Sequence, residues 1–295
     1  MTRIHSSYHV ALAAIAFALS PHQAPAQGGG GGGGGNPLMR EANQLDTEGK
    51  TVAARVIFQR LIDSAATPAT KAAAQRSMAL SYGFDHDCAN AVKYQEMVIA
   101  YWVTREKDEA QTAFSQQGTM ANEAARVCID AGKLDEAEKW YRKGSELGNK
   151  EPEPRTSPGS LWDYRLAHAL ARIAAQRGNK AEAQRQVAAA RRALDSDTAM
   201  ARTQERFFPY LTGYVALFTN DLKTAEADLS RAIALEGNST DPFLHYLLAM
   251  TYEKTTRADK AKEFYQKAYD LATGHNPSAA FTRPAARKKL GLEPK

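Results

Sequence analysis

The sequence lacks the features that mark several common classes of protein. Valine, isoleucine and threonine are sparse, which disfavours an all-β fold because strands are enriched in these β-branched residues. The longest apolar run, Val10 to Leu19, is far too short for a membrane-spanning helix of about 20 residues. Lysine and arginine exceed aspartate and glutamate by only 38 to 33, so the composition gives no reason to expect a nucleic-acid partner.

Alanine is what the sequence has in excess, with 54 of 295 residues. Because alanine is the best helix former and loses no side-chain entropy on folding, this composition favours an all-α fold. A hydrophobic share of 43% excludes wholesale disorder. Eight of the 20 glycines form one run, Gly28 to Gly35, which has no Lys after it as a phosphate-binding loop would.

The first 26 residues have the pattern of a secretory signal peptide. Arg3 precedes the apolar run, and Ala24-Pro25-Ala26 provides a small-x-small cleavage site. The alternative is an ordinary N-terminal helix, which the stop at Ser20-Pro21 disfavours. We expect cleavage after Ala26, a periplasmic or secreted protein, and a flexible glycine-rich linker over residues 27–37.

One pattern recurs six times in the rest of the chain: a small residue, an apolar residue, a turn residue, an alanine and a large apolar residue. The turns fall at Gly49, Asp85-His86-Asp87, Gly132, Gly178, Asn220 and Thr256. The alanines that follow the turns are Ala54, Ala91, Ala137, Ala183, Ala225 and Ala261. Four residues after these come Phe58, Gln95, Tyr141, Val187, Leu229 and Tyr265. Residues four apart share a helix face, so each copy predicts a helical hairpin that must stack on its neighbours.

This order of residues resembles the tetratricopeptide repeat family, over residues 38–273. The family's early Trp is absent, and Gln95 stands where the family has an aromatic residue. The resemblance implies a right-handed α-solenoid of about six hairpins. We expect residues 104–117 to lengthen the adjoining helices and Gly148 to Ser160 to form a loop. Residues 274–295 are predicted to form a C-terminal capping helix and basic tail with Arg287-Lys288-Lys289.

The resemblance also implies that the first helix of each hairpin lines a concave groove. Carried onto this chain, the partner-binding positions are Asn122, Arg126, Arg165, His168, Arg172, Phe207, Tyr210, Tyr214, Phe218, Phe243, Tyr246, Met250 and Lys254. Arginine and aromatic residues are enriched at interaction hot spots, but some of these rings must instead be core. The Lys/Asn clamp that some family members use for a C-terminal carboxylate does not occur in phase.

Two further sets of residues are candidate chemical sites. In the stacked arrangement Cys88 and Cys128 lie toward the same edge of neighbouring helices, so a disulfide is possible, although Cys128 also suits a small core position. Asp85-His86-Asp87-Cys88 is better explained as a turn in which Asp87 caps the next helix than as a metal site. No catalytic or nucleotide-binding motif follows the glycine run.

These observations predict an exported, non-enzymatic scaffold that binds a peptide segment or protein partner in its groove, without cofactor or nucleic acid. The alternative is a structural or assembly subunit of a cell-envelope complex that uses its outer face. The sequence leaves the partner's identity and the oligomeric state open.

Overall fold

The computed structural model describes residues 36–293, and it is all-helical there. The signal peptide and most of the linker predicted above lie outside the described residues. The helices are α1 (Pro37–Glu48), α2 (Thr51–Asp63), α3 (Pro68–Phe84), α4 (Cys88–Val103), α5 (Ala110–Asp130), α6 (Leu134–Asn149), α7 (Gly159–Gln176), α8 (Lys180–Ser196), α9 (Thr198–Gln204), α10 (Phe208–Phe218), α11 (Leu222–Ala234), α12 (Pro242–Lys254), α13 (Ala258–Leu271) and α14 (Pro277–Leu290). Sequential helices pack as hairpins that stack on one another, which confirms the predicted all-α repeat solenoid.

Each of the six hairpins turns at the position that the sequence predicts. In every turn one residue has a positive φ, and these residues are Gly49, His86, Gly132, Gly178, Asn220 and Thr256. Glycine and asparagine adopt this left-handed conformation readily, whereas a β-branched threonine does so at a cost. Asp87 accepts a hydrogen bond from the Asn90 amide at 3.0 Å and so caps α4, as expected.

Small residues allow the two helices of a hairpin to approach closely. Ala54, Ala137 and Ala225 are fully buried at the repeat's alanine position. In the fifth hairpin a Cβ added to Gly213 would lie 2.8 Å from Leu229 Cγ, so only glycine fits there. The excess of alanine in the composition therefore serves packing as well as helix propensity.

One connection differs in part from the prediction. Residues 110–117 lie in α5 and lengthen it as predicted, but residues 104–108 form turns between α4 and α5. Arg105 donates to Glu109 at 2.7 Å across these turns. Before α10, the chain forms the short α9 and a 3₁₀ turn (Glu205–Phe207). The predicted loop between α6 and α7 is present.

The last helix is more than the predicted cap. We call α1, α3, α5, α7, α10 and α12, the first helices of the six hairpins, the inner helices. Helix α14 packs on α13 and also contacts four inner helices, α1, α3, α5 and α12. It buries Ala279, Ala280 and Phe281 in doing so. The C-terminal helix therefore covers part of the inner surface and joins the two ends of the solenoid.

Polar contacts fix this join between α14 and the first hairpin. Arg283 Nε donates to the Thr47 carbonyl oxygen at 2.5 Å, and Arg287 Nη1 donates to the Glu48 carbonyl oxygen at 3.1 Å. These carbonyls belong to the last turn of α1, where a helix leaves its carbonyl oxygens unpaired and favours positive charge. The basic end of α14 thus caps α1 and is not a free tail.

Candidate functional site

A cavity of about 310 Å³ lies on the inner surface where α14 does not cover it. Helices α5 and α7 form two of its walls, the segment from α9 to α10 forms a third, and Pro277 at the start of α14 borders it. The lining residues are Thr119, Asn122, Glu123, Arg126, Tyr141, Tyr164, Arg165, His168, Arg172, Gln204, Phe207, Tyr210 and Pro277.

The cavity brings together the predicted groove residues from the middle of the chain. These are Asn122, Arg126, Arg165, His168, Arg172, Phe207 and Tyr210. They come from three successive inner helices or, for Phe207, from the turn before α10. The resemblance to the repeat family therefore indicated residues that lie together although they are up to 88 residues apart in the sequence, between 122 and 210.

The structure places the predicted residues of the C-terminal part elsewhere. Tyr214, Phe218, Phe243, Tyr246 and Met250 pack in or against the C-terminal hydrophobic core instead of lining the cavity. Tyr214 is 2% exposed, stacks on Phe218 with ring centroids 4.5 Å apart, and accepts a hydrogen bond from Gln176 at 2.6 Å. Lys254 is exposed at the last residue of α12. Helix α14 packs against α12, which explains why aromatic residues there are core.

Arg172 is the most deeply buried charged residue of the cavity, with 4% of its surface exposed. It donates to the hydroxyl oxygens of Tyr141 at 3.0 Å and Tyr210 at 3.2 Å, and to the backbone oxygen of His168 at 3.3 Å. All three acceptors are neutral. The guanidinium is therefore hydrogen-bonded, but its charge is not balanced by a contact.

Arg126 approaches the same phenol from the opposite helix. Its Nη1 donates to Tyr210 at 3.4 Å, and its Cζ lies 4.4 Å from the ring centre of Phe243 and 4.8 Å from that of Phe281. Stacking on two rings stabilises a cation, but Nε is buried without a hydrogen-bond partner in the described structure. Two guanidiniums thus converge on one neutral oxygen atom.

Arg165 has the least support of the three arginines. Its Cζ lies 4.9 Å from the ring centre of Trp162, and no hydrogen bond of its side chain is found within residues 36–293. Burial lowers the pKa of Arg165 to about 10, so the group remains charged at neutral pH but is destabilised by its surroundings. An uncompensated cation of this kind costs stability unless something else binds to it.

No carboxylate of the described chain lies within 4.0 Å of these three guanidiniums. Glu123 lines the cavity, but its carboxylate accepts hydrogen bonds from Arg76 and, at 3.0 Å, from Gln95. Asp130 interacts with Arg126 and Arg172 but is not among the lining residues, and burial raises its pKa. Among the lining residues, three arginines therefore stand against one carboxylate that is already paired.

The remaining polar groups of the wall are neutral at physiological pH. Burial, with the charges of Arg172 and Arg126, lowers the pKa of His168 well below its ordinary value. Burial also raises the pKa of Tyr164, whose hydroxyl is buried without a hydrogen-bond partner in the described structure.

Several lining residues were not among the sequence predictions. Tyr141 occupies the repeat's large apolar position, which predicts core, yet its hydroxyl reaches the cavity and Arg172. Tyr164 lies one residue before Arg165 on the same inner helix, and this position next to a predicted groove residue was the one signal for it in the sequence. Thr119, Glu123 and Gln204 gave no signal in the repeat pattern.

A disulfide joins Cys88 and Cys128 behind this site, with their Cα atoms 4.7 Å apart. It connects the first residue of α4 to the C-terminal part of α5, and both residues are buried. Arg126 lies half a turn before Cys128 on the same helix. The disulfide therefore ties the helix that carries one cavity wall to its neighbour.

Two further properties of the described residues bear on other functions. Across residues 36–293 there is no group of three or more His, Cys, Asp or Glu side chains that could hold a metal ion. Within the same range, none of the helices combines the length and apolarity that crossing a membrane requires.

Comparison with known proteins gives one family match. Residues 244–275 match a family model described as tetratricopeptide repeat, and they cover most of α12 and α13, the sixth hairpin. No curated protein matches the chain. The match and the stacked hairpins together support a protein of the tetratricopeptide-repeat type. Repeats of this type suggest a scaffold for protein–protein interaction and are typically non-enzymatic.

Proposed function

We propose that the chain is an exported, non-enzymatic scaffold that takes an exposed segment of a protein partner at the cavity between α5, α7 and α10. The observation that carries this proposal is that α14 covers other parts of the inner surface but leaves the cavity open. Three arginines and three tyrosines are among the residues of its walls, and arginine and tyrosine are enriched at interaction hot spots.

Export is the second part of the proposal. It rests on the signal-peptide pattern of residues 1–26 and is supported by the disulfide, because disulfides persist in oxidising compartments. We expect the protein from the periplasmic or secreted fraction to begin at Gln27. Its mass should rise by two hydrogens on reduction. An N-terminus at Met1 together with two free thiols would contradict export.

A second candidate function has an observation of its own. Val52 and Val56, one turn apart on the outer helix α2, are 71% and 64% exposed. Exposed apolar residues grouped in this way are a feature of contact surfaces. They favour the alternative of a structural or assembly subunit that uses its outer face.

Two matched variants distinguish these candidates. Thr119→Trp fills the cavity from the half-buried wall of α5, and the double variant Val52→Ser, Val56→Ser removes the outer apolar pair. Crosslinking in whole cells would compare the partners bound by each variant and by the wild-type chain. The groove function predicts that only Thr119→Trp loses the main crosslinked partner.

The outer-face function predicts the reverse result. Equal unfolding midpoints for both variants would show that neither result comes from misfolding. Retention of the same partner by Thr119→Trp would overturn the groove function.

A further inference from the structure

The arrangement of charge in the cavity is incomplete in a specific way. Arg126 and Arg172 donate to the same Tyr210 hydroxyl at 3.4 and 3.2 Å, and Arg165 has no hydrogen-bond acceptor among the described residues. Guanidinium groups that share an acceptor in a protein interior ordinarily share an anion, because like charges repel at such distances. Here the shared acceptor is a neutral phenol.

We propose that the cavity binds an organic oxyanion, a carboxylate or a phosphate, with Arg165, Arg172 and Arg126 as its cationic contacts. This inference rests on the proposed function, since it names the chemistry of the group that the site receives. Guanidiniums present several donors in one plane and match the two oxygen atoms of a carboxylate or phosphate.

The carboxylates of the protein do not fill this role. Glu123 is the one carboxylate that lines the cavity in the described structure, and it is already held by Arg76 and Gln95. Its pairing with Arg76 is directed to α3, away from the three arginines of the cavity wall. Asp130 interacts with Arg126 and Arg172 but does not line the cavity, so a negative charge inside the cavity has to come from a ligand.

The volume and the walls limit what that ligand can be. A cavity of about 310 Å³ is at the small end of ligand sites, which start at roughly 300 Å³. Phe207, Tyr141 and Tyr210 give it aromatic surfaces next to the guanidiniums. The site therefore suits one acidic group on a small apolar or aromatic body. That body can be a free organic acid or a single acidic side chain of a partner.

Defined probes test the charge requirement on the purified full-length mature chain. Benzoate and phenyl phosphate carry the anion, and benzamide is the neutral match of benzoate. Tryptophan fluorescence, reported by Trp162 beside Arg165, and calorimetry would measure binding. We expect benzoate or phenyl phosphate to bind at least about tenfold more tightly than benzamide, as expected for loss of a charge-assisted contact.

The variant Arg165→Gln tests the assignment to this cavity. Arg165 is half-buried and makes no hydrogen bond within residues 36–293, so its replacement should leave the fold intact. We expect anion binding to weaken at least about tenfold in Arg165→Gln and to recover in part in Arg165→Lys. Arg192→Gln, which removes the same charge from an exposed position on α8, should stay within about twofold of wild type.

A second readout separates a binding role from a structural one. Without anion, Arg165→Gln should unfold at the same or a higher temperature than the wild type. Added benzoate should raise the unfolding temperature of the wild type alone. Equal binding of benzoate and benzamide, or a lower unfolding temperature of Arg165→Gln with unchanged binding, would overturn the proposal.

The two sources of the anion are compared with a short peptide that carries one central Glu and its Gln counterpart. Preference for the Glu peptide supports an acidic side chain of a partner. Binding of the free acids but of neither peptide supports a small-molecule acid, and it would contradict the proposed protein scaffold while leaving the oxyanion site intact. If a partner is crosslinked in a cavity-dependent way but the probes show no preference for charge, the protein scaffold would be supported and the oxyanion site would be contradicted.

Discussion

The covered and the open parts of the inner surface treat arginine in opposite ways. In the covered part, Arg283 of α14 donates to three backbone carbonyl oxygens, those of Thr47, Tyr269 and Ala272. Its Cζ lies 4.1 Å from the centre of the Tyr269 ring. In the open cavity, Arg165 has a ring beside it and no hydrogen-bond acceptor among residues 36–293. The first arrangement uses the cation for folding, whereas the second leaves it available.

The covered and the open parts also differ in how their charged groups are paired with carboxylates. Asp46, 1% exposed, accepts from Ser81 at 2.8 Å and lies 2.8 Å from His275 Nε2, so a buried carboxylate in the covered part has its partners. The arginines of the open part have no carboxylate within 4.0 Å among the described residues, and Asp130 interacts with Arg126 and Arg172 from farther away. The pairing of charge therefore distinguishes the two parts better than the residue types do, since both parts contain arginine beside aromatic rings.

The largest expected effect comes from breaking the covered part. Phe281 is 3% exposed in the core, so Phe281→Ala should lower the free energy of unfolding by about 3–5 kcal/mol. Phe207→Ala, in the half-buried wall of the cavity, should cost about 1 kcal/mol or less. Urea denaturation would measure both. Equal losses would contradict the distinction between a covered, structural region and an open one.

The next effect compares the two arginines directly. Arg283→Gln removes charged hydrogen bonds to carbonyl oxygens and should lower the free energy of unfolding by about 1.5–3 kcal/mol. Arg165→Gln should lower it by nothing measurable. Thermal and urea unfolding of the two variants under one buffer condition would check this. A loss for Arg165→Gln that matches that for Arg283→Gln would show that both cations are structural.

The buried carboxylate of the covered part predicts a dependence on pH. Burial raises the pKa of Asp46 above its ordinary value, so the folded state binds this proton more tightly than the unfolded state does. This contribution is complete below about pH 4 and is lost as the pH rises through the folded-state pKa, with a slope of at most about 1.4 kcal/mol per pH unit.

Asp46→Asn is the reference for that measurement, because it keeps the shape and removes the titration. Urea unfolding from pH 4 to pH 7 should show wild-type stability falling relative to Asp46→Asn as the pH rises. A difference that stays constant over this range would mean that Asp46 does not titrate differently in the folded protein.

The smallest expected change in stability comes from a turn outside both regions, and it provides a reference for the larger changes. Thr256 has φ = 58° in the sixth turn, so Thr256→Gly should raise the free energy of unfolding by about 0.5–1 kcal/mol. Thr255→Gly, at the neighbouring φ of −97°, should instead lower it. Differential scanning calorimetry would resolve the two signs, and a gain in both variants would argue against strain at Thr256.

The repeat pattern was sufficient to predict what is local. It located all six turns, including that of Thr256, whose residue type alone does not favour a positive φ. The resemblance to the repeat family also identified Arg126, Arg165 and Arg172 as inner-surface residues, because the family lines its groove from fixed positions of the unit. The position of a residue within a repeat depends on a short stretch of chain, so it can be read from the sequence alone.

What the pattern missed depends on contacts between distant parts of the chain. Phe243 is core where α12 packs on α14, and Tyr214 is core where α10 packs on α7 and α12, and no repeat position specifies that packing. Nor does the sequence show that Glu123 is already paired with Arg76, 47 residues away, and so does not balance the cavity arginines. Charge balance in the cavity is a tertiary property.

The contact between α14 and α1 changes how the molecule unfolds. In an open solenoid each repeat touches only its neighbours, so terminal hairpins can fray independently. Here residues 229 to 239 positions apart, such as Asp46 with His275 and Glu48 with Arg287, hold the two ends together. Opening the first hairpin must also release the last helix, so we expect the ends to exchange amide hydrogens together and not in sequence. Because the join involves α14, it can form only after the ribosome has made the chain as far as residues 277–290.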